Sequence, residues 1–83
     1  MNDAEAAVRQ ALSSVAPEAD LDALPRGADL QEELDLDSMD FLNFLIALAE
    51  LSGVHVPESE YAQVRTLDAC VAYVTARTGA ATE

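Results

Sequence analysis

Ser38 is the residue whose type and surroundings are best suited to chemistry at the protein surface. It stands in Asp37-Ser38-Met39-Asp40, directly before a strongly apolar run that extends to Leu51. Serine followed by a long stretch of helix formers is typical of a helix N-cap, because its hydroxyl can accept a hydrogen bond from a free backbone N–H. The pattern therefore predicts an exposed serine that caps a hydrophobic helix from about Ser38 to Leu51.

The surroundings of Ser38 do not favour catalysis by this chain itself. Nucleophilic catalysis would need a base within reach, and the single histidine, His55, lies before Pro57 in a segment that the proline keeps extended. The neighbouring aspartates lack the glycine and the distant glutamate of an EF-hand calcium loop. Few aromatic residues are available to desolvate paired carboxylates for acid–base work. We therefore predict neither catalytic residues nor a metal site.

The net charge of the chain limits the kinds of partner that it is expected to bind. Sixteen acidic residues face four arginines and no lysine, which gives a formal net charge of −12. Such a field repels nucleic acid and anionic membranes, and it speeds association with basic protein patches. The alternative interpretation is that the charge serves solubility alone.

Cys70, the first residues of the chain and the length of its apolar runs indicate the compartment. A single cysteine cannot form an intramolecular disulfide, so a reducing, cytoplasmic location is expected, with Cys70 as a small buried apolar residue. The first five residues are acidic where a signal peptide would be basic, and the longest apolar run, 44–49, is too short to span a membrane.

Periodicity predicts four helices in one domain, 1–83. The first runs from about residue 3 to 15, opened by a capping box of Asn2 and Glu5 and stopped by Pro17. The second is the apolar helix at Ser38. A short third helix follows Pro57 to about residue 63. The fourth is capped by Thr66 and ends near residue 77, leaving 79–83 as a frayed tail.

The segment from residue 16 to 37 is predicted to be a long loop held to the core by its leucines, with a helical turn near 29–33. No segment alternates with period two, so no sheet is expected. The predicted fold is all-α: a small four-helix bundle, with three main helices and a short third one, and a long loop between helices 1 and 2.

The second helix has an unusually thin polar stripe when positions are plotted at about 100° per residue. The polar arc contains Asp40, Asn43, Ala47 and Glu50, and the predicted buried side contains Phe41, Leu42, Leu45, Leu48 and Ala49. The predicted borders are Met39 and Ile46 on one edge, with Phe44 and Leu51 on the other. Apolar side chains are therefore expected to reach solvent beside acidic ones.

The Asp37–Asp40 motif, at the start of an apolar helix midway along a small acidic chain, resembles the acyl carrier proteins over nearly the whole sequence. Gly53, the Val-x-Val-Pro run that ends at Pro57 and the opening Thr66-Leu67 add to the resemblance. It implies a non-enzymatic, monomeric carrier. A separate phosphopantetheinyl transferase would attach 4′-phosphopantetheine from coenzyme A to Ser38, and the arm's thiol would hold an acyl group as a thioester.

The resemblance also implies functional surfaces. Enzymes of fatty-acid, polyketide or other specialised acyl metabolism, with basic docking patches, would recognise Asp37, Met39, Asp40, Ile46 and Glu50. An acyl pocket between the second and third helices would be lined by Leu42, Leu45, Ile46, Val56, Ala62 and Val64.

Some positions depart from the family pattern. Asp35 stands where many members have glycine, Met39 replaces the usual leucine, and Phe41 and Phe44 are bulky for a deep acyl pocket. These departures favour a specialised, free-standing carrier, for secondary metabolism or for a short or unusual acyl group.

Two alternatives stay open. An aminoacyl or peptidyl carrier shares the fold and the modified serine, although the acidic balance favours acyl cargo. An unmodified acidic helical adaptor for a basic protein would use Ser38 only as an N-cap. The variant Ser38→Ala separates the adaptor from the carriers, because it would abolish the function of a carrier only.

Overall fold

The computed structural model describes residues 3–78 and shows an all-helical architecture there, without strands. Four α-helices and two 3₁₀ segments follow one another along the chain. They are α1 (Asp3–Val15), a first 3₁₀ turn (Leu21–Ala23), α2 (Leu30–Glu33), α3 (Ser38–Ser52), the 3₁₀ helix (Glu58–Val64) and α4 (Leu67–Thr78). The predicted all-α fold is confirmed, and the short third helix is a 3₁₀ helix.

Most helix boundaries follow the predicted signals. Gly53 ends α3 in the left-handed region with φ 77°, and its N–H donates to the carbonyl of Ala49 at 2.8 Å. Thr66 caps α4, because its Oγ1 accepts the N–H of Ala69 at 3.1 Å. The predicted capping box at Asn2 and the tail 79–83 lie outside the described residues.

The core lies where α3 and α4 pack against α1. The largest fully buried side chains come from all three helices, the loop and the 3₁₀ helix: Phe44, Leu12, Leu30, Leu48, Leu67, Val8, Val64, Val74 and Cys70. The loop between α1 and α3 is held as expected, with Leu24, Leu30 and Leu36 buried. It also contains the first 3₁₀ turn, which was not predicted.

Two predictions for α3 are wrong. Phe44, expected at an edge of the helix, is completely buried, and Leu42, expected on the buried side, is 38% exposed. The buried face of α3 is therefore centred nearer to Phe44 than the polar stripe implied. Since α1 and α4 fix that face, its direction depends on tertiary packing rather than on the pattern of α3 alone.

Polar contacts add to the leucines in holding the loop. The guanidinium of Arg26 lies 2.6 Å from a carboxylate oxygen of Asp68 in α4 and 3.1 Å from one of Glu5 in α1. Farther along, the N–H of Leu30 donates to the carbonyl of Arg65 at 2.7 Å. These contacts hold the loop against the first turns of α1 and α4. They also place α2 beside Arg65, which lies between the 3₁₀ helix and α4.

No helix in the described range is long and apolar enough to cross a membrane.

Candidate functional site

Ser38 is exposed and is the first residue of α3, but it is not the N-cap. The cap is Asp37, whose carboxylate accepts the N–H of Asp40 at 2.8 Å. The carboxylate of Asp40 accepts the N–H of Asp37 at 3.3 Å in return, which completes a capping box. The predicted N-cap role of Ser38 is therefore wrong, since the aspartate one position earlier fills that role.

This arrangement leaves the Ser38 side chain free for chemistry. Among residues 3–78, no hydrogen-bond partner of its hydroxyl is found. As first residues of a helix, Ser38 and Met39 also have backbone N–H groups without helical acceptors, and the helix dipole favours an anion there. The site is an exposed nucleophilic oxygen at the positive end of a helix.

The carboxylates of Asp37 and Asp40 are not neutralised by arginine. All four arginines lie in the described range, and each pairs elsewhere: Arg9 with Glu5 and Asp22, Arg26 with Glu5 and Asp68, Arg65 with Asp29, and Arg77 with Glu60. The start of α3 is therefore a negatively charged surface that a basic partner can approach.

A groove of about 480 Å³ opens beside Ser38. It lies between the first turn of α3, α2 and the 3₁₀ helix, and it is lined by Gln31, Ser38, Phe41, Glu58, Tyr61, Ala62 and Arg65. The Phe41 ring lies 5.8 Å from the Tyr61 ring in an edge-to-face arrangement and 5.8 Å from the Phe44 ring. The groove thus combines an aromatic floor with polar side chains around its rim.

Comparison with known proteins identifies the family. A family model described as the phosphopantetheine attachment site matches residues 6–74, which is most of the chain. The chain belongs to this family of phosphopantetheine-binding carrier proteins. It is also 27% identical over 62 residues to an acyl carrier protein of Lactobacillus acidophilus, which covers 75% of this chain and 78% of that protein. No solved structure matches the chain.

Membership makes covalently attached 4′-phosphopantetheine the cofactor of this carrier. The arm is joined to its protein through a phosphodiester, which requires an accessible hydroxyl. Ser38 offers one, at a helix N-terminus that favours an anion. The residues at this site therefore fit the group.

One departure from the family pattern has a backbone explanation. Asp35, which stands where many carriers have glycine, adopts φ 56° in the left-handed region. Glycine takes this conformation freely, and aspartate is among the residues that tolerate it best. The turn before α3 therefore adopts this conformation with an aspartate, which adds a negative charge there.

The residues expected to contact partners lie mostly on one exposed side of α3. Met39 is 62% exposed and Ile46 49%, while Asp37 and Glu50 are exposed and Asp40 is half-buried. Leu42 lies between Met39 and Ile46 at helical spacing, so the apolar stripe of the carrier has three members. Leu42 was predicted to lie on the buried side of the helix and to line the acyl pocket, so its place on the partner surface was not expected.

The residues expected to line an acyl pocket are divided between the core and the surface. Leu45 and Val64 are buried, Val56 is half-buried, and Leu42, Ile46 and Ala62 are exposed. Of these six, Ala62 also lines the groove beside Ser38.

Most of the other residues that line the groove were not predicted from the sequence to belong to the site. Gln31 and Arg65 meet there because the contact between the backbones of Leu30 and Arg65 joins segments far apart in the chain. Helical periodicity carries no information on such a contact. Tyr61 packs against Phe41 and also lines the groove.

The remaining reactive side chains lie outside this site. Cys70 is completely buried, and burial raises the pKa of its thiol to about 12. His55 is exposed in the link before Pro57. Within the described part of the carrier, no three histidine, cysteine, aspartate or glutamate side chains come together as metal ligands would.

Proposed function

We propose that Ser38 carries the 4′-phosphopantetheine arm and that this protein is an acyl carrier. The cargo is an acyl group delivered to enzymes of fatty-acid, polyketide or other specialised acyl metabolism. The observation that carries the proposal is the exposed Ser38 hydroxyl, which has no hydrogen-bond partner in the described structure and lies within the span matched by the family model. Similarity to the Lactobacillus acidophilus acyl carrier protein supports acyl cargo over aminoacyl cargo.

In the attachment reaction, Ser38 acts as the nucleophile while a separate transferase supplies the base. The serine oxygen forms a bond to the phosphorus of coenzyme A that bears the pantetheine. The bond from that phosphorus to the oxygen of adenosine 3′,5′-bisphosphate breaks, and the serine proton goes to the transferase. Because Asp37 caps the helix, Ser38 can react without giving up a structural hydrogen bond.

Once bound, the group supplies a thiol at the end of a long arm, which holds acyl cargo as a thioester. The residues around Ser38 determine how the arm is presented. The first-turn N–H groups of α3 stabilise the phosphodiester charge, while the carboxylates of Asp37 and Asp40 oppose its close docking. These opposed effects leave the arm free to swing, so that its cargo can be presented to visiting enzymes.

The side chains of α3 form the surface that partners recognise. The carboxylates of Asp37, Asp40 and Glu50 attract basic patches on the transferase and on acyl-handling enzymes. Met39 and Ile46 provide the apolar contact that holds the complex briefly. With charge guiding the encounter, association rates fall as the salt concentration rises.

The test is intact mass after incubation with coenzyme A and a broad-specificity phosphopantetheinyl transferase. We expect the wild type to gain one phosphopantetheine group and Ser38→Ala to gain none. Ser59→Ala is the matched control, since Ser59 is another exposed serine in a helical segment, and it should be modified like the wild type. No gain with several transferases would contradict the proposal and favour an unmodified acidic adaptor.

A further inference from the structure

The groove beside Ser38 differs from a channel for an alkyl chain. We propose that it receives a short acyl group with hydrogen-bonding substituents, and that its aromatic floor keeps long alkyl chains out of the core. This inference rests on the proposed function, because it requires cargo tethered at Ser38. It assigns cargo selection to Phe41 and Tyr61, the two aromatic residues of the groove.

The floor of the groove is closed by interlocking rings. Phe41 is 5% exposed, and its ring meets Tyr61 edge-to-face at 79° and Phe44 at 46°. These arrangements are favourable for aromatic pairs beyond simple burial. A chain entering the core from the groove would have to separate them.

The core next to this floor is filled by large side chains of α3. Phe44, whose ring lies 5.8 Å from that of Phe41, is completely buried, and Leu45, one helical turn after Phe41, is 5% exposed. Protein interiors are close-packed, and inserting extra methylene groups forces strained side chains and backbone shifts. A long alkyl chain therefore gains little by entering here.

The rim offers polar contacts instead. Gln31, Glu58 and Arg65 supply amide, carboxylate and guanidinium groups, and Tyr61 adds a hydroxyl. Arg65 is held by Asp29 at 2.5 Å yet remains 55% exposed, so some of its N–H groups still face solvent. An alkyl chain laid across these groups would remove them from water without replacing their hydrogen bonds. A hydroxyl group close to the thioester can donate to Glu58 or accept from Arg65, and a keto group can accept from Gln31, Tyr61 or Arg65, so either one replaces part of these hydrogen bonds.

The experiment compares three cargoes on the full chain: butyryl, 3-hydroxybutyryl and octanoyl groups, each transferred with its arm from the matching acyl-coenzyme A. Intact mass first establishes loading at Ser38. Amide chemical shifts are then measured by NMR, and Tm by circular dichroism. Relative to butyryl, 3-hydroxybutyryl should shift the resonances of Tyr61 and Arg65, whereas octanoyl should leave those of Leu45 and Val64 and the Tm unchanged.

Two variants of α3 that lose a similar buried volume test whether the aromatic floor keeps the octanoyl chain out of the core. Phe41→Ala opens the groove toward the core, and the matched control Leu48→Ala removes a buried side chain that does not line the groove. Octanoyl should raise the Tm of Phe41→Ala above that of its butyryl form, and it should not do so for Leu48→Ala. If Phe41→Ala does not fold, Tyr61→Ala replaces it with the same expectation, because Tyr61 is only half-buried.

The outcomes separate this inference from the proposed function. Octanoyl-dependent shifts of Leu45 and Val64 in the wild type would overturn the closed floor. Identical spectra for butyryl and 3-hydroxybutyryl at Tyr61 and Arg65 would overturn the polar selectivity. Both results would leave the carrier function intact. Failure of every cargo to add mass at Ser38 would overturn the proposed function and this inference with it.

Discussion

Asp37 and Asp40 bond to each other's backbone across the first turn of α3, with the N–H of Asp40 donating to Asp37 at 2.8 Å and the N–H of Asp37 donating to Asp40 at 3.3 Å. Ser38 lies between them and takes no part in this capping box. The structural and chemical roles at this helix start therefore belong to different residues.

Ser38→Ala should leave the free energy of unfolding within about 0.5 kcal/mol of the wild type, as for a surface position without a structural hydrogen bond. Asp37→Ala should lower it by about 0.5–2 kcal/mol, because an orphan N–H of the first turn loses its acceptor. Asp37→Asn is the control, since asparagine caps helices about as well as aspartate. Urea unfolding of the three variants measures these differences, and a loss of stability in Ser38→Ala comparable to that of Asp37→Ala would contradict the division of roles.

The ion pair between Glu5 and Arg26 predicts an acid dependence of stability. Hydrogen bonds from Arg26, with a further one from Arg9, lower the pKa of Glu5 from 4.5 to about 2. A lowered pKa in the folded state means that the unfolded state binds the proton more tightly. This contribution to stability is therefore complete above pH 4.5 and is lost as the pH falls toward about 2.

Glu5→Gln should accordingly show a shallower fall in unfolding free energy over this pH window. Glu50→Gln is the matched control, because Glu50 is exposed and has no arginine partner in the described range. It should keep the wild-type slope. Urea unfolding at a series of pH values measures both, and equal slopes for Glu5→Gln and the wild type would count against the ion pair.

The two described glycines should respond in opposite ways to replacement by alanine. A Cβ on either one would meet no atom within 4 Å, so steric contact does not separate them. Gly53 has φ 77°, where a side chain is strained, and Gly53→Ala should lower the free energy of unfolding by about 1–2 kcal/mol. Gly27 lies outside that region, and Gly27→Ala should leave stability unchanged or raise it by up to about 1 kcal/mol. Thermal unfolding distinguishes them, and equal effects would show that backbone conformation at Gly53 is not the cause.

Much of this fold could be predicted from local sequence signals. Contacts between segments that are distant in the chain could not. Capping residues, prolines and Gly53 act on their immediate neighbours, so the helix bounds were close to those observed. The N-cap was misplaced because Asp37 and Ser38 are both favourable cap residues, and the reciprocal contact with Asp40 favours Asp37.

The groove could not be predicted in the same way. Leu42 was misassigned because helix packing, rather than the sequence of α3, sets the direction of the core. The groove also joins Gln31 and Arg65, which approach one another through a backbone contact between distant segments. Ser38, by contrast, was recognisable because its motif and the apolar helix behind it are contiguous in sequence.

Cys70 provides a final prediction, which separates the thiol of the chain from that of its cofactor. Burial raises the pKa of Cys70 to about 12, so at neutral pH it is present almost entirely as the unreactive thiol. The native apo-protein should therefore react with Ellman's reagent very slowly, and it should expose one thiol only after denaturation.

The holo-protein should show one fast-reacting thiol without denaturation, because the arm of an exposed serine ends in solvent. Holo Cys70→Ala is the control, and it should keep the fast reaction while losing the slow one. Fast reaction of the native apo-protein would show that Cys70 becomes accessible through opening of α4. The opposite result, a holo-protein without a fast thiol, would place the end of the arm in a protected site, because thiolate chemistry requires access as well as ionisation.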